Sequence, residues 1–193
     1  MKHLGILAVA LAAFVVAGCF DGNRKTVLIV GESLEDTTSA DSTIYGRCGL
    51  GTAMNTLELV VQGSDTIEVS LVSANDSNDV VGGLSVGDSM AVTGYMAADG
   101  CLNATKAINL TSLLGKWGSI GQTFELCEGG VVKSDAIEQM KYTSWKIHNG
   151  LLVLPPDTFD ISVLGADSLR LVKPDGSVFG LRRMPSGETA GRK

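Results

Sequence analysis

The chain has 193 residues, a formal net charge of −6, 24 glycines and only 4 prolines. This length fits one domain or two small ones. The acidic balance argues against a nucleic-acid partner, because contacts with phosphates need a basic protein face. Val, Ile and Thr are common and turn residues recur at short intervals, while long stretches of helical period are missing, so the sequence predicts an all-β protein.

The amino terminus has the layout of an export signal. A short basic start, residues 1–3, is followed by thirteen residues without a charge, Leu4 to Val16. A transmembrane helix needs about 20 apolar residues. This run therefore predicts a secretory signal peptide rather than a permanent membrane span.

The export signal ends in "VAGC", residues 16–19, which resembles the lipobox of bacterial lipoproteins. The resemblance implies that the chain is cut just before Cys19 and that lipid, including palmitate-type acyl chains, is attached there. Several acyl chains give stable anchoring, whereas a single chain is marginal. We therefore expect a lipid-anchored protein of the cell outer membrane. The alternative is an ordinary signal peptide in which Cys19 stands by chance.

Charge is unevenly distributed along the rest of the chain. Residues 26–110 hold 11 acidic residues against only Arg47 and Lys106, whereas residues 111–193 hold 9 acidic and 10 basic residues. This asymmetry predicts a domain boundary near Leu110.

Five β-like runs divide the acidic half, with one long excursion between the third and the fourth. They are 26–30, 56–61, 66–71, 90–95 and 106–110. This layout resembles an OB-type small barrel. An OB fold that binds single-stranded nucleic acid needs stacking aromatic residues and a basic groove, but the only aromatic residues here are Tyr45 and Tyr95. The resemblance therefore implies a structural or protein-binding use.

The second half begins with "GKW", whose Gly115 and Trp117 resemble the Gly-x-Trp signature that opens the first strand of lipocalin-like barrels. Seven further strand-like runs follow, at 123–127, 131–134, 142–148, 151–154, 158–164, 168–172 and 178–183. The Asn-Gly and Asp-Gly turns between some of them favour antiparallel hairpins. The resemblance covers residues 111–184 and implies an eight-stranded up-and-down barrel. It also implies a basic residue of the last strand packed on Trp117, and Arg183 has the parity for that contact.

Alternating side chains predict one apolar and one polar face for the strands of the second half. The apolar set includes Val163 and three residues that we expect to face a ligand, Trp145, Phe159 and Phe179. A closed barrel of eight strands encloses a space that either its own side chains fill or one small ligand occupies. The sequence is compatible with both.

Three cysteines remain besides Cys19. In the OB-type layout, Cys48 and Cys101 fall in loops at the same end of the barrel, and an oxidising envelope favours disulfides. That layout implies a Cys48–Cys101 bridge and leaves Cys127 unpaired. His148 is the only histidine after processing and stands beside an Asn-Gly turn. We therefore expect no metal site, no cofactor and no enzymatic activity.

The predicted fold class is all-β, with two small antiparallel β-barrels, the first OB-like and the second eight-stranded, up-and-down and lipocalin-like. The predicted segments are a signal peptide (1–18), a lipidated linker (19–25), the OB-like domain (26–110), the lipocalin-like barrel (111–184) and a tail (185–193). The predicted function is that of a non-enzymatic cell-envelope lipoprotein that binds a small hydrophobic or amphipathic ligand. The alternative is a structural or protein-interaction module of the envelope with packed barrels. The expected partners are the membrane, through the lipid anchor, and either the ligand or an envelope protein.

Overall fold

A computed structural model describes residues 40–61, 65–72, 80–120, 122–134 and 141–185. The predicted signal peptide, Cys19, the linker and the predicted strand at 26–30 lie outside these residues. Within them, no helix is long and apolar enough to cross a membrane.

The first sheet is a closed ring of five strands with one short addition. Its strands are β1 (Ile44–Cys48), β2 (Thr56–Val60), β3 (Thr66–Ser70), β4 (Val80–Val81), β5 (Ser89–Met96) and β6 (Leu102–Asn109). The ring runs β3-β2-β1-β5-β6 through antiparallel pairs, and a parallel pairing of β3 with β6 closes it. The two-residue β4 also pairs with β6, in parallel. The described residues of the first half of the chain therefore form a small barrel, as predicted.

The first strand of this barrel is not the predicted one. It is formed by "IYGRC", whose inward residues are Ile44, Gly46 and Cys48. A Cβ added to Gly46 would lie 2.8 Å from both the Leu59 side chain and the carbonyl oxygen of Val60. Glycine is therefore needed here so that β1 can approach β2 closely. Because glycine adds nothing to the apolar alternation, the strand signal is weak in the sequence.

The second sheet contains the eight strands predicted for this half. They are β7 (Gly115–Ser119), β8 (Gln122–Cys127), β9 (Val131–Lys133), β10 (Lys146–His148), β11 (Leu151–Leu154), β12 (Asp157–Leu164), β13 (Ser168–Val172) and β14 (Val178–Arg183). All neighbours are antiparallel in the order β10-β11-β12-β13-β14-β7-β8-β9. The all-β fold class with two barrel-like sheets is confirmed.

The two edge strands of the second sheet meet through backbone hydrogen bonds just before β10. The amide of Val132 donates to the carbonyl oxygen of Thr143 at 3.0 Å, and the amide of Trp145 donates to that of Gly130 at 2.7 Å. The sheet therefore curves round until its ends touch. The interior is filled by side chains from every strand, and those that are almost fully buried include Trp117, Leu126, Ile147, Leu152, Leu154, Ile161 and Leu169.

One residue predicted to be inward points outward. The register of β12 against β13 shifts between Ile161 and Val163, which marks a β-bulge. A bulge reverses the alternation beyond it. Val163 is therefore exposed, and Leu164 is buried in its place.

The two barrels share an apolar contact. A short helix, α1 (Leu110–Leu113), joins them. Ala91 and Ile108 of the first barrel pack in the same buried cluster as the interior of the second. Beside this cluster, the ammonium group of Lys106 bonds the carboxylate of Asp160 and the carbonyl oxygen of Ile161. The free energy of unfolding is therefore a property of both barrels together rather than of each barrel alone.

Candidate functional site

One end of the second barrel is closed by Trp117. This indole is fully buried, and its Nε1–H donates to the carbonyl oxygen of Leu113 at 2.8 Å. Trp117 stands opposite Arg183 in the pairing of β7 with β14. The guanidinium carbon of Arg183 lies 4.2 Å from the indole centroid. The structure thus brings together the two residues that the sequence paired.

The Arg183 guanidinium also bonds the backbone at this closed end. It donates to the carbonyl oxygens of Ser112, Leu114 and Ala166. Two of these carbonyls belong to the end of α1 and the residue after it, where helical carbonyls have no partner within the helix. Gly115 has a φ of +121°, and a Cβ there would lie 2.6 Å from Nη1 of Arg183. Glycine in the Gly-x-Trp motif therefore makes room for the arginine.

The opposite end, which we call the open end, carries a row of four aromatic rings. Phe124 and Tyr142 have centroids 6.0 Å apart, Tyr142 and Phe159 are 6.4 Å apart, and Phe159 and Phe179 are 5.8 Å apart. All three contacts are edge-to-face, the arrangement that aromatic quadrupoles favour. The row ends in solvent, because Phe179 is 37% exposed.

A cluster of charged side chains lies beside this aromatic row. The Asp157 carboxylate accepts hydrogen bonds from Lys141 Nζ at 2.6 Å, Lys173 Nζ at 2.9 Å and the Tyr142 hydroxyl at 2.8 Å. Lys141, Lys173 and Tyr142 hold the pKa of Asp157 well below its usual range. Since its folded-state pKa is lowered, this carboxylate stabilises the fold above the pKa of an unfolded aspartate, about 3.9. That contribution is lost as the pH falls through the folded-state value.

The space behind the aromatic row is small. A pocket of about 10 Å³ lies among the apolar side chains at the open end. That volume corresponds to about one water molecule. Two of the predicted ligand-facing residues, Phe159 and Phe179, line this pocket. The third, Trp145, does not: its Nε1–H donates to the carbonyl oxygen of Cys127 at 2.8 Å, and the ring packs in the core.

The predicted Cys48–Cys101 disulfide is wrong for this structure, in which both thiols and that of Cys127 are free. Cys48 is the buried last residue of β1, and its amide donates to the carbonyl oxygen of Asp88, the residue before β5. Cys101 is exposed and follows the far end of β5. The eight residues of β5 span about 26 Å, whereas a disulfide needs Cα atoms about 4.4–6.8 Å apart.

His148 has a structural position at the contact between the barrels. Its Nδ1 lies 3.3 Å from Oδ2 of Asp41. The neighbouring Asn149 accepts hydrogen bonds from the amide and hydroxyl of Ser42 at 2.8 and 2.9 Å, and its own amide donates to Thr43 Oγ1 at 3.0 Å. The segment before β1 is thus fastened to the turn between β10 and β11. In the described part of the chain, no group of three or more His, Cys, Asp or Glu residues is placed to hold a metal ion.

The comparisons concern the second barrel. Residues 109–183 match the family model described as lipocalin-like. A search of the curated proteins and a search of the solved structures gave no match to this chain. The matched range begins at the residue before α1 and contains β7 to β14. Over the range of the second barrel, the chain is therefore similar to the lipocalin-like family.

Proposed function

We propose that this protein is a non-enzymatic lipoprotein of the bacterial cell envelope in which the lipocalin-like barrel is a packed structural or protein-interaction module. The observation that carries this proposal is the volume of about 10 Å³ at the open end. Pockets for small ligands usually measure about 300–1,000 Å³. An enclosed ligand would therefore have to displace core side chains.

The first barrel supports the same proposal by its topology. Its ring of β1-β2-β3-β6-β5, closed by the parallel β3–β6 pairing, is the strand order we expect of an OB-type barrel. A compact buried cluster that includes Leu57, Leu59, Val69 and Met90 fills its interior. We propose that this half is an OB-like domain with a packed core.

A neutral apolar dye tests whether the second barrel is packed. We expect N-phenyl-1-naphthylamine to leave the amide signals of β12 and β14 unshifted in NMR spectra of the mature chain. Phe159→Ala removes a buried ring and leaves a cavity. This variant should bind the dye and shift those signals, which serves as the positive control. Saturable shifts in the unsubstituted protein would contradict the packed barrel.

The second candidate function is binding of a small hydrophobic or amphipathic ligand at the open end. The partly exposed ring of Phe179 favours this candidate. The ammonium group of Lys173 also favours it, because it lies 5.5 Å from the ring centroid of Phe179 and 5.7 Å from that of Phe159. Such a ligand would replace the Phe179 ring and place its polar head beside Lys173. The dye experiment distinguishes this candidate, since it requires shifts at Phe179 and Lys173 without any substitution.

We propose anchoring to the outer membrane through Cys19, supported by the "VAGC" ending of the export signal. Cys19→Ala removes the thiol that would carry the lipid. We expect metabolic labelling with an alkyne analogue of palmitate to mark the unsubstituted protein and not this variant. Cys101→Ala is the matched control, because Cys101 is a free, exposed thiol and its loss should leave the label intact. A Cys19→Ala chain that still carries label would contradict the anchor.

A further inference from the structure

The outer face of the first barrel carries a groove of about 580 Å³, which shares no lining residue with the pocket at the open end of the second barrel. Its walls include Tyr45, Arg47, Val60, Val61, Ser89 and Leu110. This volume lies in the range of small-ligand sites, about 300–1,000 Å³. The lining combines apolar side chains with one guanidinium, that of Arg47, and the hydroxyl groups of Tyr45 and Ser89.

Strand register explains why these side chains converge. Arg47 on β1 is directly opposite Val60 on β2 and directly opposite Ser89 on β5. Side chains directly opposite one another have Cβ atoms about 4.5–5.5 Å apart on the same face. Val60, Arg47 and Ser89 therefore form one row across three strands. Tyr45, two residues before Arg47, lies on the same outer face.

Tyr45 is a fixed wall of the groove. Its ring is 49% exposed, yet its hydroxyl donates to the carbonyl oxygen of Ile147 in the second barrel at 2.9 Å. A side chain held at both ends loses little further freedom when a ligand packs against it.

The guanidinium of Arg47 has N–H groups available for a ligand. Its Nη1 donates to the carbonyl oxygen of Gly87 at 2.9 Å. Within the described ranges, no carboxylate forms an ion pair with Arg47, and no hydrogen bond of the Ser89 hydroxyl is present. This is notable because the acidic half has only two basic residues against 11 acidic ones. The groove thus presents a positive group and a hydroxyl side by side above an apolar floor.

We propose that this groove binds a small carboxylic acid with an apolar body. The carboxylate accepts hydrogen bonds from the Arg47 guanidinium, whose planar fork matches two carboxylate oxygens, and from the Ser89 hydroxyl. The apolar body lies along Val60 and Leu110 against the Tyr45 ring. A single negative charge suits the site better than a phosphate dianion, because the surrounding barrel is acidic and repels a second charge. The site is independent of the function proposed for the second barrel.

NMR titration of the mature chain tests this site, with octanoate and N-acetylleucine as probes of an aliphatic acid and of a peptide-like acid. We expect one or both to shift the Arg47 side-chain Nε–H signal and the Ser89 amide signal saturably. Octylamine, which has the same tail as octanoate and the opposite charge, should leave these signals unshifted. The stronger of the two acids identifies the source class.

Variants then separate recognition from chance adsorption. Arg47→Gln removes the charged donors, and we expect it to weaken binding about tenfold or more. Arg170→Gln removes an exposed arginine on β13 of the other barrel and should leave binding unchanged. The proposal is overturned if neither acid shifts the Arg47 and Ser89 signals, if octylamine binds as well as octanoate, or if Arg47→Gln binds as tightly as the unsubstituted chain.

Discussion

Trp117→Ala is expected to lower the free energy of unfolding by about 3–5 kcal/mol, the range for removing a buried aromatic side chain. The indole is fully buried, donates a hydrogen bond to Leu113 and lies under the Arg183 guanidinium. All three contributions disappear together. Urea unfolding of the whole mature chain, followed by far-ultraviolet circular dichroism, measures the loss without depending on tryptophan fluorescence.

Two further variants identify the contact. Arg183→Ala should cost less than Trp117→Ala, because a cation over an aromatic ring contributes about 0.5–2 kcal/mol and the ring itself stays buried. The sum of the two losses in free energy of unfolding should exceed the loss in the double variant, since both substitutions act on one contact. Trp117→Phe keeps a ring at the closed end and should recover part of the stability. A loss below about half a kcal/mol for Trp117→Ala would contradict the role of the indole as the closure of the barrel.

The second barrel could be predicted from sequence because each of its strands carries its own signal. Alternation distinguishes the buried face from the wet one, and most turns contain glycine or proline. The contact of Trp117 with Arg183 followed from parity and from the position of Arg183 at the end of the last strand. The exception was Val163, where a bulge reverses the alternation. Nothing in the local composition announces that bulge.

The first barrel was predicted less well because its first strand was missed, and the residues near that strand were therefore assigned to the wrong elements. The strand at Ile44–Cys48 contains Gly46 and alternates Tyr45 and Arg47 outward, so its apolar signal is only two side chains. Placing the first strand at 26–30 turned Cys48 into a loop residue. The predicted disulfide followed from that placement and failed with it.

The contacts between the barrels have no sequence signature. Ser42 and Asn149 are 107 positions apart, and Lys106 reaches Asp160 across 54 positions. Such pairs depend on how the two folded barrels pack against each other, and the periodicity of apolar residues does not predict that packing. The charged cluster of Asp157, Lys141 and Lys173 also lacks a sequence signature, because the folding of the second barrel itself brings these separate positions to one end.

Asn109→Ala is expected to lower the free energy of unfolding by about 2–4 kcal/mol, from the loss of a helix cap and of buried hydrogen bonds. Asn109 is the last residue of β6 and only 1% exposed. Its Oδ1 accepts a hydrogen bond from the amide of Ser112 at 2.9 Å, which caps α1. Its Nδ2 donates to the carbonyl oxygen of Gly83 at 3.1 Å and to Oδ2 of Asp88 at 2.6 Å. Alanine leaves a part-buried carboxylate and a carbonyl without their donor.

Asn109→Asp distinguishes the helix-capping role of Oδ1 from the hydrogen-bond donation by Nδ2. Aspartate keeps the cap oxygen but places a second carboxylate against Asp88, so it should cost stability at neutral pH. Two carboxylates this close raise the pKa of one of them. When the pKa of a carboxyl group is raised in the folded state, the free energy of unfolding rises as the pH falls. Here the added proton also gives one carboxyl group a hydrogen-bond donor for the other. The deficit of Asn109→Asp relative to the unsubstituted chain should therefore shrink between pH 7 and pH 4, as measured by urea unfolding at each pH.

Asn103→Ala provides the matched control for both variants. Asn103 lies on the same strand with a partly exposed side chain, so its loss should stay within about 0.5 kcal/mol, as for most surface substitutions. If Asn109→Ala costs no more than Asn103→Ala, the hydrogen bonds of the Asn109 side chain do not stabilise the fold. If the deficit of Asn109→Asp is the same at pH 7 and pH 4, Asp88 is not its partner. The combination of a large alanine effect and a pH-dependent aspartate effect is specific to a buried amide that donates to a carboxylate.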